Sequence, residues 1–284
     1  MKYLFFTIVF FNFIFLKNSF SQNDSTTKAS EWKHSVVSGI TLTQVSFSDW
    51  AQGGENALAW TLSLEGKSEL ERAKFNWVNT YKFAYGQTKL GGGDLKKTDD
   101  KIDLSSVITM KYGTYINPYF GLTFKSQLDE GVKYDGTGKK TVVSKFFDPA
   151  YVTQSAGVGY QPIAQIKTRL GAALRETFSP NYGYADDAKT ITEIEKSKVE
   201  GGMESVTDIE WKIEENILLT SKLELFAPFK TFDEVVFRGD NTLAMKVSKY
   251  ITTNLNVQFI NEKKITPRTQ FKETLSLGIS YTFI

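Results

Sequence analysis

The last stretch of the sequence, Thr274-Leu-Ser-Leu-Gly-Ile-Ser-Tyr-Thr-Phe-Ile284, alternates apolar and polar residues without a break. The apolar positions are Leu275, Leu277, Ile279, Tyr281 and Phe283. Because successive side chains of a β-strand point to opposite faces, this pattern predicts a strand with one apolar face and one polar face.

Similar alternating segments recur along the chain, about twelve strands in all, the even number that bacterial membrane barrels have. The predicted connections are alternately long and short, and a soluble Greek-key protein has no reason to keep every second turn short. The long connections are predicted to begin at Ser48, Gln87, Leu128, Glu176, Ala227 and Ile260. The pattern therefore predicts an all-β fold, an antiparallel transmembrane β-barrel with short periplasmic turns and long extracellular loops.

The closing strand resembles the insertion signal of outer-membrane barrels, since it is amphipathic, aromatic and placed at the end of the sequence. The resemblance implies that Tyr281 and Phe283 carry this signal. It also implies two kinds of partner, the barrel assembly machinery and the outer-membrane lipid with its lipopolysaccharide.

The first residues predict a secretory signal peptide over 1–21, with a cationic start, a short apolar run and small residues before Gln22. A membrane anchor would need about 20 apolar residues, and this run is interrupted by Asn12 and closed by Lys17. We expect a short periplasmic arm over 22–31, a barrel over 32–284 and a location in the cell outer membrane.

Composition excludes several classes of protein. The 284 residues are 41% hydrophobic and 14% aromatic, which argues against a disordered chain and allows one large β domain. The net charge is +2, from 34 basic and 32 acidic residues mixed along the chain. The sequence therefore has no basic patch that would indicate binding of nucleic acid. Cysteine is absent, which removes disulfides and thiolate chemistry.

The segment Ser48-Asp-Trp-Ala-Gln-Gly-Gly-Glu-Asn-Ala57 carries the cluster Trp50, Gly53, Gly54 and Asn56. With the signal peptide and the barrel layout, this cluster resembles a family of uncharacterised outer-membrane barrels from Bacteroidetes, known only as a domain of unknown function. The resemblance implies an outer-membrane location and no established activity.

The single histidine, His34, lies at the predicted periplasmic start of the first strand. An outer-membrane phospholipase needs a Ser-His-Asn set on the lipid-facing wall, and an outer-membrane protease needs His beside Asp at the outer rim. We interpret His34 as a solvated interfacial residue. No catalytic or cofactor-binding residues are predicted. No metal-binding residues are predicted either, because one histidine and no cysteine leave few transition-metal ligands.

Two other features stand out. The pairs Asp99-Asp100 and Asp186-Asp187 fall in predicted outer loops. They could bind calcium or bridge lipopolysaccharide cations, but we prefer the interpretation that they are solvated.

Asn79 interrupts the aromatic face of the third strand, and the pattern offers no reason for it.

The inward-facing charges are of mixed sign. They either line a solute path or cancel one another, and a barrel this narrow is largely filled by its side chains. A three-residue turn at 215–217 would set Glu210 opposite Lys222, with Lys167 and Arg169 as partners of Asp208 and Glu210. The predicted lumen charges are Lys167, Arg169, Asp208, Glu210, Lys212, Lys222 and Glu224, with Lys82, Lys111, Lys125, Glu214 and Lys246.

Three functional classes are compatible with these residues. An enzyme is the weakest, since no nucleophile, base and orienting group can be assembled from them. We expect a structural or accessory subunit of an envelope assembly with a narrow or closed lumen. The alternative is a narrow channel for small hydrophilic solutes.

Overall fold

The structure is a computed structural model that describes residues 31–46, 55–186, 194–231, 234–263 and 265–282. Within these ranges no helix is long and apolar enough to cross a membrane. The strands are β1 Lys33–Val45, β2 Ala57–Glu71, β3 Phe75–Leu90, β4 Lys96–Met110, β5 Ile116–Ser126, β6 Gly131–Tyr134, β7 Lys140–Ser144, β8 Ala150–Ile163, β9 Ile166–Phe178, β10 Ser197–Glu214, β11 Ile217–Pro228, β12 Val236–Lys246, β13 Ile251–Asn261 and β14 Gln270–Thr282.

Twelve of these strands form one closed antiparallel barrel, in the order β1-β14-β13-β12-β11-β10-β9-β8-β5-β4-β3-β2. The barrel closes where β14 pairs with β1, from Val37 opposite Thr282 to Thr41 opposite Gly278. The predicted all-β barrel of about twelve strands is confirmed. β6 and β7 form a separate hairpin between β5 and β8.

The connections differ at the two ends of the barrel. One end, the short-turn end, carries the connections 72–74, 111–115, 164–165, 215–216 and 247–250. The other, the long-loop end, carries 46–56, 91–95, 127–149, 179–196, 229–235 and 262–269.

Several predicted loops were too long. The connection predicted to start at Gln87 is only 91–95, because the backbone ladder between β3 and β4 continues through polar residues. Gly91 makes this tight turn with a positive φ of 51°, which glycine adopts without strain. The predicted loop from Ala227 shrinks in the same way, since β12 begins at Val236.

Two of the long connections are tied to each other. The carboxylate of Asp148, 2% exposed, accepts hydrogen bonds from the Ser179 hydroxyl at 2.6 Å and from the Asn181 backbone and side-chain N–H groups at 3.0 and 2.9 Å. This network joins connection 127–149 to connection 179–196 at the long-loop end.

The apolar side chains lie mostly on the outside of the barrel. On β14, Leu275, Leu277 and Ile279 are 72%, 60% and 60% exposed. Among the described residues, the buried hydrophobic cluster inside is small, consisting of Ala173, Phe226 and Val236. A wall that is apolar outside and polar inside is the arrangement of a transmembrane barrel.

A charge placed on this wall should cost more at its middle than at its edge. We expect Leu277→Arg to lower the free energy of unfolding by about 2–4 kcal/mol in lipid vesicles, against about 0–1 kcal/mol for Phe271→Arg, near the long-loop end of the same face. Urea unfolding in vesicles measures both values. Equal losses for the two variants would show that this face is not in lipid.

Candidate functional site

Six charged side chains meet in the middle of the lumen, and we call them the mid-lumen network. Three are basic and three are acidic, so their formal charges cancel. They come from two nearly opposite parts of the wall, β4 and β5 on one side and β11 and β12 on the other. The members of the network are Lys101, Asp103, Lys125, Lys222, Glu224 and Asp240.

One ion pair crosses the full width of the barrel. The Lys101 Nζ atom lies 2.5 Å from the Asp240 Oδ2 atom, and their strands, β4 and β12, are six positions apart in either direction around the ring. The other oxygen of Asp240 accepts a hydrogen bond of 2.8 Å from the Asn256 amide. This carboxylate is therefore held from its own side of the barrel while it binds the lysine from the opposite wall.

A second bridge runs beside the first. Lys125 on β5 forms an ion pair with Glu224 on β11, and its Nζ atom is also 3.8 Å from the Asp103 carboxylate. Glu224 in turn contacts Lys222 at 3.3 Å. The exposed fractions of these six side chains are 9–27%, although they belong to a hollow barrel, so the ion pairs reach across the middle of the lumen.

On its long-loop side, the mid-lumen network borders a cavity of about 450 Å³. Six basic and five acidic side chains line it, including the network itself. Near the mouth, Lys272 on β14 pairs with Asp99 on β4 at 2.8 Å. The cavity is thus strongly charged but almost neutral overall.

Two arginines share one carboxylate at the side of the cavity. Glu262 contacts Arg238 at 2.8 Å and Arg175 at 3.5 Å. Both guanidinium groups lie over the Tyr151 ring, at 5.0 and 4.7 Å from its centroid. These cation–π contacts add to the attraction that Glu262 provides for both guanidinium groups.

The predicted lumen charges fall into two groups. Lys222 and Glu224 belong to the mid-lumen network, and Asp208 contacts Arg169 at 3.3 Å with Lys167 opposite it in the register. Glu210 and Lys212 are exposed towards the short-turn end.

The predicted pairing of Glu210 with Lys222 is wrong. The turn between β10 and β11 has two residues, and a register shift between Lys212 and Glu214 places Lys222 opposite Asp208. Glu210 faces Thr220 instead.

The charged residues of the lumen that were not predicted from the sequence include Lys101, Arg238, Asp240 and Glu262. Lys101 follows a Gly- and Asp-rich run and Asp240 lies in Arg-Gly-Asp-Asn, and both compositions are typical of turns. The signal that could have identified β12 is the alternation of Phe237, Asn241 and Leu243 with Arg238, Asp240 and Thr242.

The acidic pair Asp99-Asp100 lies in β4 rather than in an outer loop, and both carboxylates form ion pairs. Besides the ion pair of Asp99 at the cavity mouth, Asp100 accepts the backbone N–H groups of Leu128 and Asp129, at 2.6 and 2.9 Å, and binds Lys97 at 2.7 Å. The Tyr85 hydroxyl donates a 2.8 Å hydrogen bond to Asp129 and lowers the pKa of that carboxyl. Asp100 thus anchors connection 127–149 to the rim.

The remaining sites can be placed only in part. Trp50, Gly53, Gly54, Phe283 and Asp187 lie outside the described residues. The carbonyl of Asn56 accepts the Gly91 N–H at 2.7 Å, which joins two connections of the long-loop end. Tyr281 is 52% exposed and stacks on Tyr250 at the short-turn end. No group of three or more potential metal ligands occurs in the described part of the chain.

Comparisons of the sequence find two families. Residues 42–132 match the family described as Protein of unknown function (DUF3078), and residues 150–283 match Protein of unknown function, DUF481. Both agree with the predicted resemblance to an uncharacterised family, whereas a Bacteroidetes source stays a prediction. No curated protein matches the sequence.

Similar solved structures are barrels of low sequence identity. The NanC porin is 9% identical, with 87% of this chain and 98% of that chain covered and a TM-score of 0.40. The COG4313 outer membrane channel from Pseudomonas putida F1 is 10% identical, with 92% and 99% covered and a TM-score of 0.38. The translocator domain of the autotransporter NalP from Neisseria meningitidis is 10% identical, with 87% and 86% covered and a TM-score of 0.36. The functions in these names are those of the compared proteins.

The ion pair across the barrel can be tested by a double-mutant cycle. We expect Lys101→Met and Asp240→Asn each to lower the free energy of unfolding by roughly 1–3 kcal/mol, because each leaves an uncompensated charge in a confined lumen. The double variant should recover part of the loss.

Urea unfolding of the detergent-folded barrel measures the cycle. The matched control is Lys111→Met, since Lys111 pairs with Glu71 at 2.7 Å near the short-turn end where both side chains are more exposed. Its cost should stay below about 1 kcal/mol. Additive losses at Lys101 and Asp240 would mean that the two charges are independently hydrated.

Proposed function

We propose that this chain is an integral barrel of the cell outer membrane, with the short-turn end in the periplasm and the long-loop end outside. The support is the exposed apolar wall of a closed barrel, which needs a hydrocarbon environment to cover it. Lipid and lipopolysaccharide are then its immediate surroundings, and the barrel assembly machinery is the partner that inserts it.

The barrel serves as a non-enzymatic accessory subunit of an envelope assembly, with a lumen that is closed in its resting state. The observation that carries this proposal is the bridging of opposite walls by Lys101 with Asp240 and by Lys125 with Glu224. A lumen filled by paired charges offers no continuous water path. The surfaces left for function are the outer wall and the long-loop end, where the β6–β7 hairpin provides additional ordered backbone.

The proposal that the barrel is not an enzyme rests on how its charged groups are used. The network carboxylates and lysines bind each other. A general acid or base must instead be free to exchange a proton with a substrate.

Electrical recording tests the closed lumen. In planar bilayers the parent barrel should show no steady conductance, and Lys125→Ala with Glu224→Ala should open a measurable one, because this pair of changes removes one whole bridge. Lys111→Ala is the control, as it alters a lysine outside the network and should stay silent. A parent protein that conducts steadily contradicts the closed lumen.

A narrow channel is the second candidate function, and the charged cavity of about 450 Å³ favours it. The positive and negative groups of a small zwitterionic solute could replace the lysines and carboxylates of the network as ion-pair partners, so that the solute passes. Swelling of proteoliposomes in glycine, compared with swelling in an uncharged sugar of similar size, distinguishes the two functions. Selective entry of glycine supports the channel, and no entry of either solute supports the accessory subunit.

The accessory role itself needs partners. A pull-down from native membranes in mild detergent should recover the barrel with stoichiometric envelope proteins. Recovery of the barrel alone, together with solute entry, would favour the channel.

A further inference from the structure

A row of polar side chains crosses the outer wall of β1 to β4 near the short-turn end. His34 lies opposite Ser68, Ser68 opposite Asn79, and Asn79 opposite Ser106. Residues opposite each other in an antiparallel pair lie on the same face. On β4, Lys101 and Asp103 point into the lumen, and Ser106 is an odd number of residues away from both, so it points outward. The four side chains, which we call the polar row, therefore lie on the outer face.

The polar row is bordered by aromatic rings. The His34 Nδ1 atom is 2.8 Å from the Ser68 hydroxyl, and the Trp77 indole N–H donates to the Ser106 hydroxyl at 2.9 Å. Trp32 stacks on His34, with ring centroids 6.1 Å apart, and meets Trp77 edge-on at 5.2 Å. Tryptophans in this position are typical of the membrane interface, where one side of the ring is apolar and the other is wet.

Asn79 is the residue in this row that the rest of the structure does not explain. It is 3% exposed, and its Nδ2 atom has no hydrogen-bond partner among the described residues. A buried amide without a partner is costly, and more so on a wall that faces hydrocarbon. The position therefore calls for an acceptor oxygen from outside the chain.

The location and the donors of the row define the ligand. Ser68 is three residues from the end of β2 and Asn79 four from the start of β3, so the row lies at the interface depth of the wall. From His34 to Ser106 it spans three strand spacings, about 14 Å. The adjacent turn 72–74 carries two basic side chains, Arg72 and Lys74, close to the end of the row.

We propose that the polar row binds the glycerol-phosphate region of a phospholipid in the leaflet at the short-turn end. The hydroxyls of Ser68 and Ser106, the Asn79 amide and His34 donate to phosphate and ester oxygens. Because the Trp77 indole binds Ser106 in the structure, the proposal requires that Trp77 rotate away from Ser106 to give the ligand access to the amide. The inference rests on the proposed membrane location. Its test is made in detergent and does not require the protein to be in a membrane.

Thermal unfolding of the full barrel in detergent provides the test, with phosphatidylglycerol as the probe and diacylglycerol of the same acyl chains as the comparison. Phosphatidylglycerol should raise the Tm of the parent as its concentration rises, because it binds the folded state. Asn79→Leu should weaken this binding about tenfold, the loss of one interaction worth roughly 1.4 kcal/mol. Without phospholipid, Asn79→Leu should unfold no lower than the parent, since it removes a buried amide nitrogen that has no partner in the described ranges of the chain.

The control is Ser38→Ala, a change on the same face of β1 but outside the row, which should leave phosphatidylglycerol binding unchanged. If Asn79→Leu does not fold, Ser68→Ala with Ser106→Ala replaces it, with the same expected loss. Equal binding by the parent and the row variants, or equal effects of diacylglycerol and phosphatidylglycerol, overturns the inference. Insertion of the parent into vesicles is scored separately by heat-modifiable gel migration, so failure of the proposed location is distinguished from failure of the polar row.

Discussion

The pairing of β14 with β1 is the constraint on which the rest of the structure depends. An open sheet would leave two rows of backbone N–H and C=O groups without partners, which a hydrocarbon environment cannot satisfy. The five residue pairs from Val37 with Thr282 to Thr41 with Gly278 close the ring and cover this part of both edges. Once the ring is closed, every strand has one face towards the surroundings and one towards a narrow lumen.

The two faces then follow different rules. The outer face is apolar along most of its length because nothing polar is available there to satisfy a donor or an acceptor. On the inner face of the ring, lysines and carboxylates from facing parts of the wall are close enough to form ion pairs. The bridge from Lys101 to Asp240 is the clearest case, because its two strands are as far apart in the ring as twelve strands allow.

This difference explains what the sequence could predict. The outward alternation of Leu275, Leu277 and Ile279 is imposed by the surroundings, so the number of barrel strands was predicted correctly. The β6–β7 hairpin, which lies in the loop predicted from Leu128, was not predicted. The surroundings do not require apolar residues at the strand ends or in the lumen. In addition, β4 and β12 begin in sequence that has the composition of turns. The partner of Lys222 could not be predicted either, since a turn one residue shorter than assumed and a register shift between Lys212 and Glu214 together exchange Glu210 for Asp208. Asn79 and His34 looked unrelated in the sequence because their proximity depends on the register of three strands.

The central claim is that paired charges close the lumen between the cavity and the short-turn end. A chain without cysteine allows a direct test by single-cysteine labelling in proteoliposomes, with a charged thiol reagent added to one side at a time. Thr98→Cys, at the cavity lining, should react from the long-loop side. Thr109→Cys, beyond the network on the same strand, should react only from the short-turn side. Equal labelling of Thr109→Cys from the long-loop side would contradict a closed lumen.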